Sequence, residues 1–287
     1  MKNIGIIGNG FVGSAIAAGF GLHANVRIYD KDSRKTMNNL VDVVNESDFV
    51  FVSVPTPMEH VEGGKIDLGI MDSVFDEIVS VEKRSNFSYD NVVFVIKSTV
   101  IPGTTERYQQ KYPQLRIAFN PEFLTERSAK LDFINTSRIV IGGSDRDNAA
   151  VESLYRDRFP YAKIIKTDSK SAEFIKYMCN CFFATKVSFM NEMYLASQAM
   201  CGDWNSIMEG FITDGRIGNS HIDVPGHDGD FGYGGKCFPK DINAFIGFFE
   251  SMDVEPMLLN ASWARNLQVR KNLDWAEIEG AVSKDKE

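Results

Sequence analysis

No stretch of this chain approaches the ~20 consecutive apolar residues that a bilayer-crossing helix needs, so a membrane partner is not expected. There is no basic surplus either. Lysine and arginine number 31 against 39 aspartates and glutamates, a net charge of −8, which argues against nucleic acid as a partner. A small anionic substrate stays compatible with that balance, because a few local cations override the global sign. Cysteine is scarce: Cys179, Cys181, Cys201 and Cys237 are the four, and none stands in the Cys-x-x-Cys spacing of a metal site. Cys179 and Cys181 fall on different faces of a helix. No metal is expected. The loop holding His221, Asp223, His227, Asp228 and Asp230 matches no standard zinc spacing and reads as solvated. The first residues enter a strand pattern with no charged-then-apolar leader, so the chain reads as cytoplasmic, with reduced thiols.

What is present, 44% apolar and 24% charged residues over 287 positions, is a globular composition with room for two structural units. Residues 2–30 read strand, glycine turn, helix, strand. Ile4-Gly5-Ile6-Ile7 leads into Gly8-Asn9-Gly10-Phe11-Val12-Gly13, and Asn25-Val26-Arg27-Ile28-Tyr29 ends at Asp30. A glycine pattern alone is weak evidence; this one follows a strand, opens a helix and has an acid at the tip of the next strand. Gly8 permits the tight turn, Gly10 lets the backbone approach a pyrophosphate, and Gly13 lets helix and strand pack closely. The helix N-terminus offers its N–H groups to the phosphates. Asp30 would accept from the ribose hydroxyls and repel a 2′-phosphate, favouring NAD over NADP; Lys31, Arg34 and Lys35 temper that preference.

Apolar runs at 48–54 and 91–96, shorter ones at 116–119 and 138–141, and helix patterns at 69–81 and 147–159 continue the alternation. The expected fold class is α/β: a Rossmann-type, doubly wound parallel sheet over 1–168. Ligands bind beyond the carboxyl ends of such strands. There the sequence places Val54-Pro55-Thr56-Pro57, Lys97-Ser98-Thr99-Val100 and Asn120-Pro121-Glu122-Phe123-Leu124-Thr125-Glu126.

From 169 to 200 no proline or glycine occurs, and Ile175, Met178, Phe182, Phe189, Met193, Ala196 and Met200 recur at helical spacing. A helix of that length, ~48 Å, is longer than a small domain is wide. The stripe therefore reads as core or as the interface of a homodimer, and 169–287 as an all-helical dimerisation domain reached by this long helix. Lys176 and Asn180, four apart, share one side of it. A further helix is expected over 256–275, and a polar, frayed tail over 283–287. Between these helices, Gly232-Tyr233-Gly234-Gly235-Lys236-Cys237-Phe238-Pro239-Lys240 puts one thiol on a glycine-rich backbone between two lysines. Lysine charge and a helix N-terminus both favour the reactive thiolate, and Pro239 suits a first helical turn.

Taken in order, the glycine fingerprint, Val54-Pro55-Thr56-Pro57, Lys97-Ser98-Thr99-Val100, Asn120-Pro121-Glu122-Phe123-Leu124, Arg216-Ile217-Gly218 and Gly232-Tyr233-Gly234-Gly235-x-Cys237-Phe238-Pro239-Lys240-Asp241 resemble the UDP-glucose/GDP-mannose dehydrogenase family of nucleotide-sugar dehydrogenases. The resemblance implies oxidation of a sugar C6 alcohol to a carboxylate with two NAD per turnover, UDP-glucose being the leading substrate. It makes Cys237 the nucleophile of a thiohemiacetal and thioester, and Lys176 and Asn180 the oxyanion donors. Thr99, Glu122 and Asp241 would hold or activate water, with Asp241 or Glu122 as the base. To the cofactor it assigns Gly8, Gly10, Phe11, Val12, Gly13, Asp30, Lys35, Pro55, Thr56, Thr99, Glu126 and Lys240. To the substrate it assigns Phe123, Leu124, Lys176, Asn180, Gly234, and Arg216 acting across the dimer.

The chain departs from the pattern at Lys236, where serine is usual, at Arg127, where glycine is usual, and in the longer, more acidic loop over 219–231. The usual second α/β domain, which grips the nucleotide, is not seen after the connecting helix. Other readings stay open: an NAD-binding dimeric module without turnover, an enzyme for GDP-mannose or UDP-N-acetylhexosamine, or a hydroxyacid dehydrogenase with no role for Cys237.

Overall fold

The structure, a computed structural model, describes residues 1–61, 63–84 and 87–283. The chain divides into two compact units, Met1–Thr56 with Leu68–Lys176, and Pro57–Asp67 with Tyr177–Glu287. Against the sequence boundary of 168/169, the division falls eight residues into the long helix, and a short early segment belongs to the second unit.

In chain order the elements are β1 (Lys2–Ile7), α1 (Phe11–Phe20), β2 (Ala24–Tyr29), α2 (Leu40–Asn45), β3 (Phe49–Val52), β4 (Met58–His60) and β5 (Gly63–Ile66). There follow α3 (Gly69–Ser80), β6 (Val93–Ile96), α4 (Thr104–Lys111), β7 (Arg116–Phe119), α5 (Ala129–Ile134), β8 (Arg138–Gly142), α6 (Asp145–Arg158) and β9 (Lys163–Thr167). The last helices are α7 (Ser169–Ala199), α8 (Trp204–Ile212), α9 (Phe238–Glu250) and α10 (Met257–Val269).

The first unit is a seven-stranded sheet in the order β2-β1-β3-β6-β7-β8-β9. Its core follows from strand alternation. Ile4, Ile6, Phe49, Phe51, Val93 and Val95 pack on one face with Ile16 and Phe20 of α1. Ile7, Val50, Val52, Phe94 and Ile96 pack on the other with Met71, Phe75 and Ile78 of α3. Both faces are covered, which is why these strands read as unbroken apolar runs. One expectation needs correction: β8 meets β7 antiparallel, at Phe119 and Gly142, while the other neighbours in this sheet are parallel. The strand order reverses at β1, between β2 and β3, and that switch point opens a crevice at the carboxyl ends.

The start of α4 is held from α7. Buried Glu173 accepts from the N–H groups of Gly103 and Thr105 at 2.6 and 2.8 Å, and from the Thr105 hydroxyl at 2.6 Å. A carboxylate there satisfies donors that the helix itself cannot pair.

The second unit is not all-helical. It contains the antiparallel pair β4–β5, to which the end of the chain is tied. Met58 N donates to Ala281 O at 2.8 Å, Ser283 N to Met58 O at 2.7 Å, and the Trp275 indole to Val61 O at 2.8 Å. The helix expected over 256–275 stops at Val269. Arg270 turns extended, and the next two N–H groups, of Lys271 and Asn272, donate to Asp230 rather than to the preceding turn. Beyond Ser283 the expected polar tail lies outside the described residues. Among the described residues no helix is long and apolar enough to cross a membrane.

Candidate active site

In the first unit, β1 delivers the chain to Gly8, whose φ of 93° and proximity to the Ser53 carbonyl both require glycine. A methyl group on Gly13 would overlap the Gly8 carbonyl oxygen, whereas one on Gly10 would meet nothing within 4 Å. Gly10 is thus not required by the fold; open space lies beside it at the start of α1, which has no side-chain cap. This is the cradle that a pyrophosphate needs. Asp30 is turned toward the same loop, its Oδ2 accepting from Asn9 N at 2.6 Å and its Oδ1 from Asp32 N at 2.8 Å. The residues present therefore fit NAD. Phe11 and Val12 are half-buried in the first turn of α1; Lys35 is exposed, its carbonyl accepting from the Asn9 amide. After β3, Pro55 is exposed and the Thr56 hydroxyl donates to Thr99 O at 2.9 Å.

The ends of β6 and β7 carry a buried ionic group. Lys176 of α7 donates to Glu122 Oε1 at 2.8 Å, and Glu122 Oε2 accepts from Leu124 N at 2.7 Å. Next to this pair Lys97 donates to Asn120 Oδ1 at 3.0 Å and to Pro121 O at 3.3 Å. Asn120 also receives the Tyr155 hydroxyl and donates to Val140 O. Burial pushes the Lys97 ammonium down to about 7; the Glu122 carboxylate opposes the shift and the Lys176 charge reinforces it. A cavity of about 500 Å³ opens here, lined by Lys97, Glu122, Phe123, Leu124 and Arg138 among others. Arg138 lies over the Phe123 ring at 4.0 Å. Glu126 is exposed in a short turn beyond these residues.

In the second unit, half-buried Cys237 occupies the N-cap position of α9 without a side-chain capping bond, with Pro239 in the first turn as expected. One turn on, Asp241 is fully buried and both its oxygens are engaged: Lys240 donates to Oδ1 at 2.5 Å and Asn180 to Oδ2 at 2.6 Å. Lys240 is thus committed to Asp241. Cys181 is buried beside Asp241 O at 3.7 Å, and burial pushes its thiol well up. Arg216 is exposed and bound to Asp214 at 2.5 Å. The acidic loop over 219–231 is not simply solvated, because Asp228 pairs with buried Arg270 at 2.8 Å. Burial, with the positive charge of Lys186, holds His221 below the usual imidazole range, and it stacks on Phe183 at 4.3 Å.

Two groups of residues had no role in the sequence reading. Lys97 and Asn120 stood in quoted motifs, their polarity at a strand end being the available signal. Asn266, Arg270 and Asp274, which hold the glycine-rich loop, gave none.

The chain is similar to known proteins over most of its length. Residues 35–158 match the sequence model of the UDP-glucose/GDP-mannose dehydrogenase family, NAD binding domain, and 170–268 that of the same family's central domain. A UDP-glucose 6-dehydrogenase of Rickettsia conorii is 32% identical over 85% of this chain and 54% of its own length. UDP-glucose 6-dehydrogenase AglM of Haloferax volcanii is 30% identical over 90% of this chain and 68% of its own. The chain therefore spans a little over half of the first relative and about two thirds of the second. Among solved structures, a UDP-glucose dehydrogenase from Pyrobaculum islandicum superposes with a TM-score of 0.78 at 28% identity, covering 93% of this chain and 68% of that one. The Gly10 cradle, the ordered motif set and these matches lead to one statement: the chain belongs to the UDP-glucose/GDP-mannose dehydrogenase family, and its first unit is an NAD-binding domain.

Proposed function

We propose that this chain is a nucleotide-sugar 6-dehydrogenase that oxidises UDP-glucose to UDP-glucuronate through covalent bonding to Cys237. The observation that carries the reading is the network around Asp241. There a carboxylate is fully buried one turn after the N-cap cysteine, its desolvation offset by an ammonium and an amide on its two oxygens.

NAD, when bound, supplies a hydride acceptor for each of two oxidations. The chain's own residues do the rest. Glu122 or Asp241 takes the C6 hydroxyl proton as the first hydride leaves C6, giving the aldehyde. The Cys237 sulfur then bonds to C6, and Lys176 and Asn180 donate to the oxygen that becomes negative. Loss of the second hydride leaves a thioester on Cys237. The base, having passed the first proton to solvent, takes one from water, which adds to C6; the C–S bond breaks and the acid so formed gives its proton to the leaving thiolate, departing as the carboxylate. The names of the relatives favour UDP-glucose, with GDP-mannose and UDP-N-acetylhexosamines as competitors.

We also propose a homodimer through α7. Met178, Phe182, Phe189 and Met193 form one stripe on that helix, with Met200 just past its end, and all are exposed, Phe182 by 63% and Phe189 by 50%. An exposed apolar face of this kind favours burial against a second copy.

The test is incubation of the purified chain with NAD and a panel of nucleotide sugars. Two NADH per UDP-glucose supports the proposal, and Cys237→Ser should then stop at or before the aldehyde level. NAD binding without any NADH would replace the enzyme with a cofactor-binding module. Full activity of Cys237→Ser would favour a simple alcohol oxidation.

A further inference from the structure

We propose that residues 270–283 form a strap that sets the position of the thiol loop, with Asp274 as the positioning residue for Cys237. These residues follow the span matched to the family, which ends at 268, and none of the motifs quoted above lies in them. They nonetheless reach the loop from three directions. Asp274 accepts from Gly235 N at 3.1 and 3.2 Å, two residues before Cys237. Glu279 O accepts from Lys236 Nζ at 3.0 Å, immediately before the thiol. Arg270, buried, bridges Asp274 at 3.1 Å and Asp228 at 2.8 Å and also donates to Phe231 O.

The loop backbone is pressed against this ionic group. A methyl group on Gly234 would overlap both the Arg270 guanidinium and the Asp274 carboxylate. Gly235 has φ 74°, so its N–H is aimed by a backbone that few other residues adopt. Gly234, assigned to substrate from the sequence, is thus already required to be glycine by the strap. The strap is fixed at its far end by buried Trp275, whose indole donates to Val61 O, and by the backbone pairing of Ala281 and Ser283 with Met58. Its departure from the family pattern at Lys236 has a use here: the lysine ties the residue before the thiol to the strap.

The catalytic part of this inference rests on the nucleotide-sugar dehydrogenase reading; the positional part does not. The test compares the full chain with Asp274→Ala and Asp274→Asn by hydrogen exchange and by iodoacetamide alkylation followed by mass spectrometry. Cys201, exposed in the same chain, is the internal reference. In Asp274→Ala, amides over 232–237 should exchange about tenfold faster, the size of one charge-assisted hydrogen bond, with 93–96 unchanged. The Cys237-to-Cys201 alkylation ratio should rise at least about threefold. Should Asp274→Ala fail to fold, Asp274→Asn, which keeps one acceptor oxygen, should move both readings the same way by less. With UDP-glucose and NAD, kcat should fall about tenfold while KM for NAD stays within about twofold. Exchange and alkylation equal to the wild type in a folded variant would overturn the strap. Absence of turnover in the wild type would sink the enzyme reading and leave the first two measurements to decide this one.

Discussion

At the scale of single residues, Lys97 is the most consequential side chain that motif reading left without a role. Its burial faces it with the Asn120 amide oxygen, the Pro121 carbonyl, the Glu122 carboxylate and the Lys176 ammonium. With its ammonium pushed down to about 7 from the usual 10.5, the unfolded chain holds a proton between those limits that the folded chain has released. Stability therefore rises with pH across that window, and the full cost of the buried charge is present below it. In Lys97→Met the cost is gone at every pH. The variant's stability relative to wild type, from denaturant midpoints at pH 6, 8 and 9.5, should be highest at pH 6 and decline steadily; parallel pH profiles would refute this. The sequence placed Lys97 at a strand end but not the direction of its side chain. Whether a strand-end lysine turns to solvent or inward depends on what β7 and α6 bring to it, here Asn120 and Tyr155.

At the scale of elements, the β1 turn separates glycines required by the fold from one, Gly10, beside which the fold leaves open space. Gly13→Ala overlaps backbone that cannot withdraw and should cost about 3 kcal/mol or more, read as a fall in denaturant midpoint. Gly10→Ala enters open space. Its melting temperature should stay within about 2 °C of the wild type, while NAD affinity by calorimetry falls about tenfold or more. Equal loss of stability in both variants would contradict the division of roles. The same strand–turn–helix was the most legible part of the chain, because two-sided burial writes itself as continuous apolar runs. Less could be read where burial is one-sided or short. In β9, Lys163–Thr167, two isoleucines stand between polar residues and no residue is fully buried. The six residues of α2, Leu-Val-Asp-Val-Val-Asn, favour a strand by composition and are held as a helix by the Asn39 cap. The reversed direction of β8 has no local signature, since apolar burial is the same in either sense.

At the scale of the whole molecule, the proposed α7 interface predicts a concentration-dependent mass. Phe189→Glu puts a charge on the exposed stripe without touching either core, so the protomer should fold normally. Sedimentation velocity should show a dimer for the wild type and at least about a tenfold weaker association for the variant; a wild type that stays monomeric at all concentrations would remove the interface. The stripe was legible as apolar spacing, yet not whether core or partner covers it. Longer-range relations were invisible: Asp274 meets Gly235 from 39 positions away in the sequence, with no periodicity to link them. The hairpin β4–β5 has a parallel consequence for how the molecule is made. Its Val61 carbonyl waits for an indole 214 positions later in the chain, so the ribosome must finish residues 275–283 before the second unit can close. A fragment begun at Tyr177 would be born lacking two strands, and no single cut liberates this unit intact.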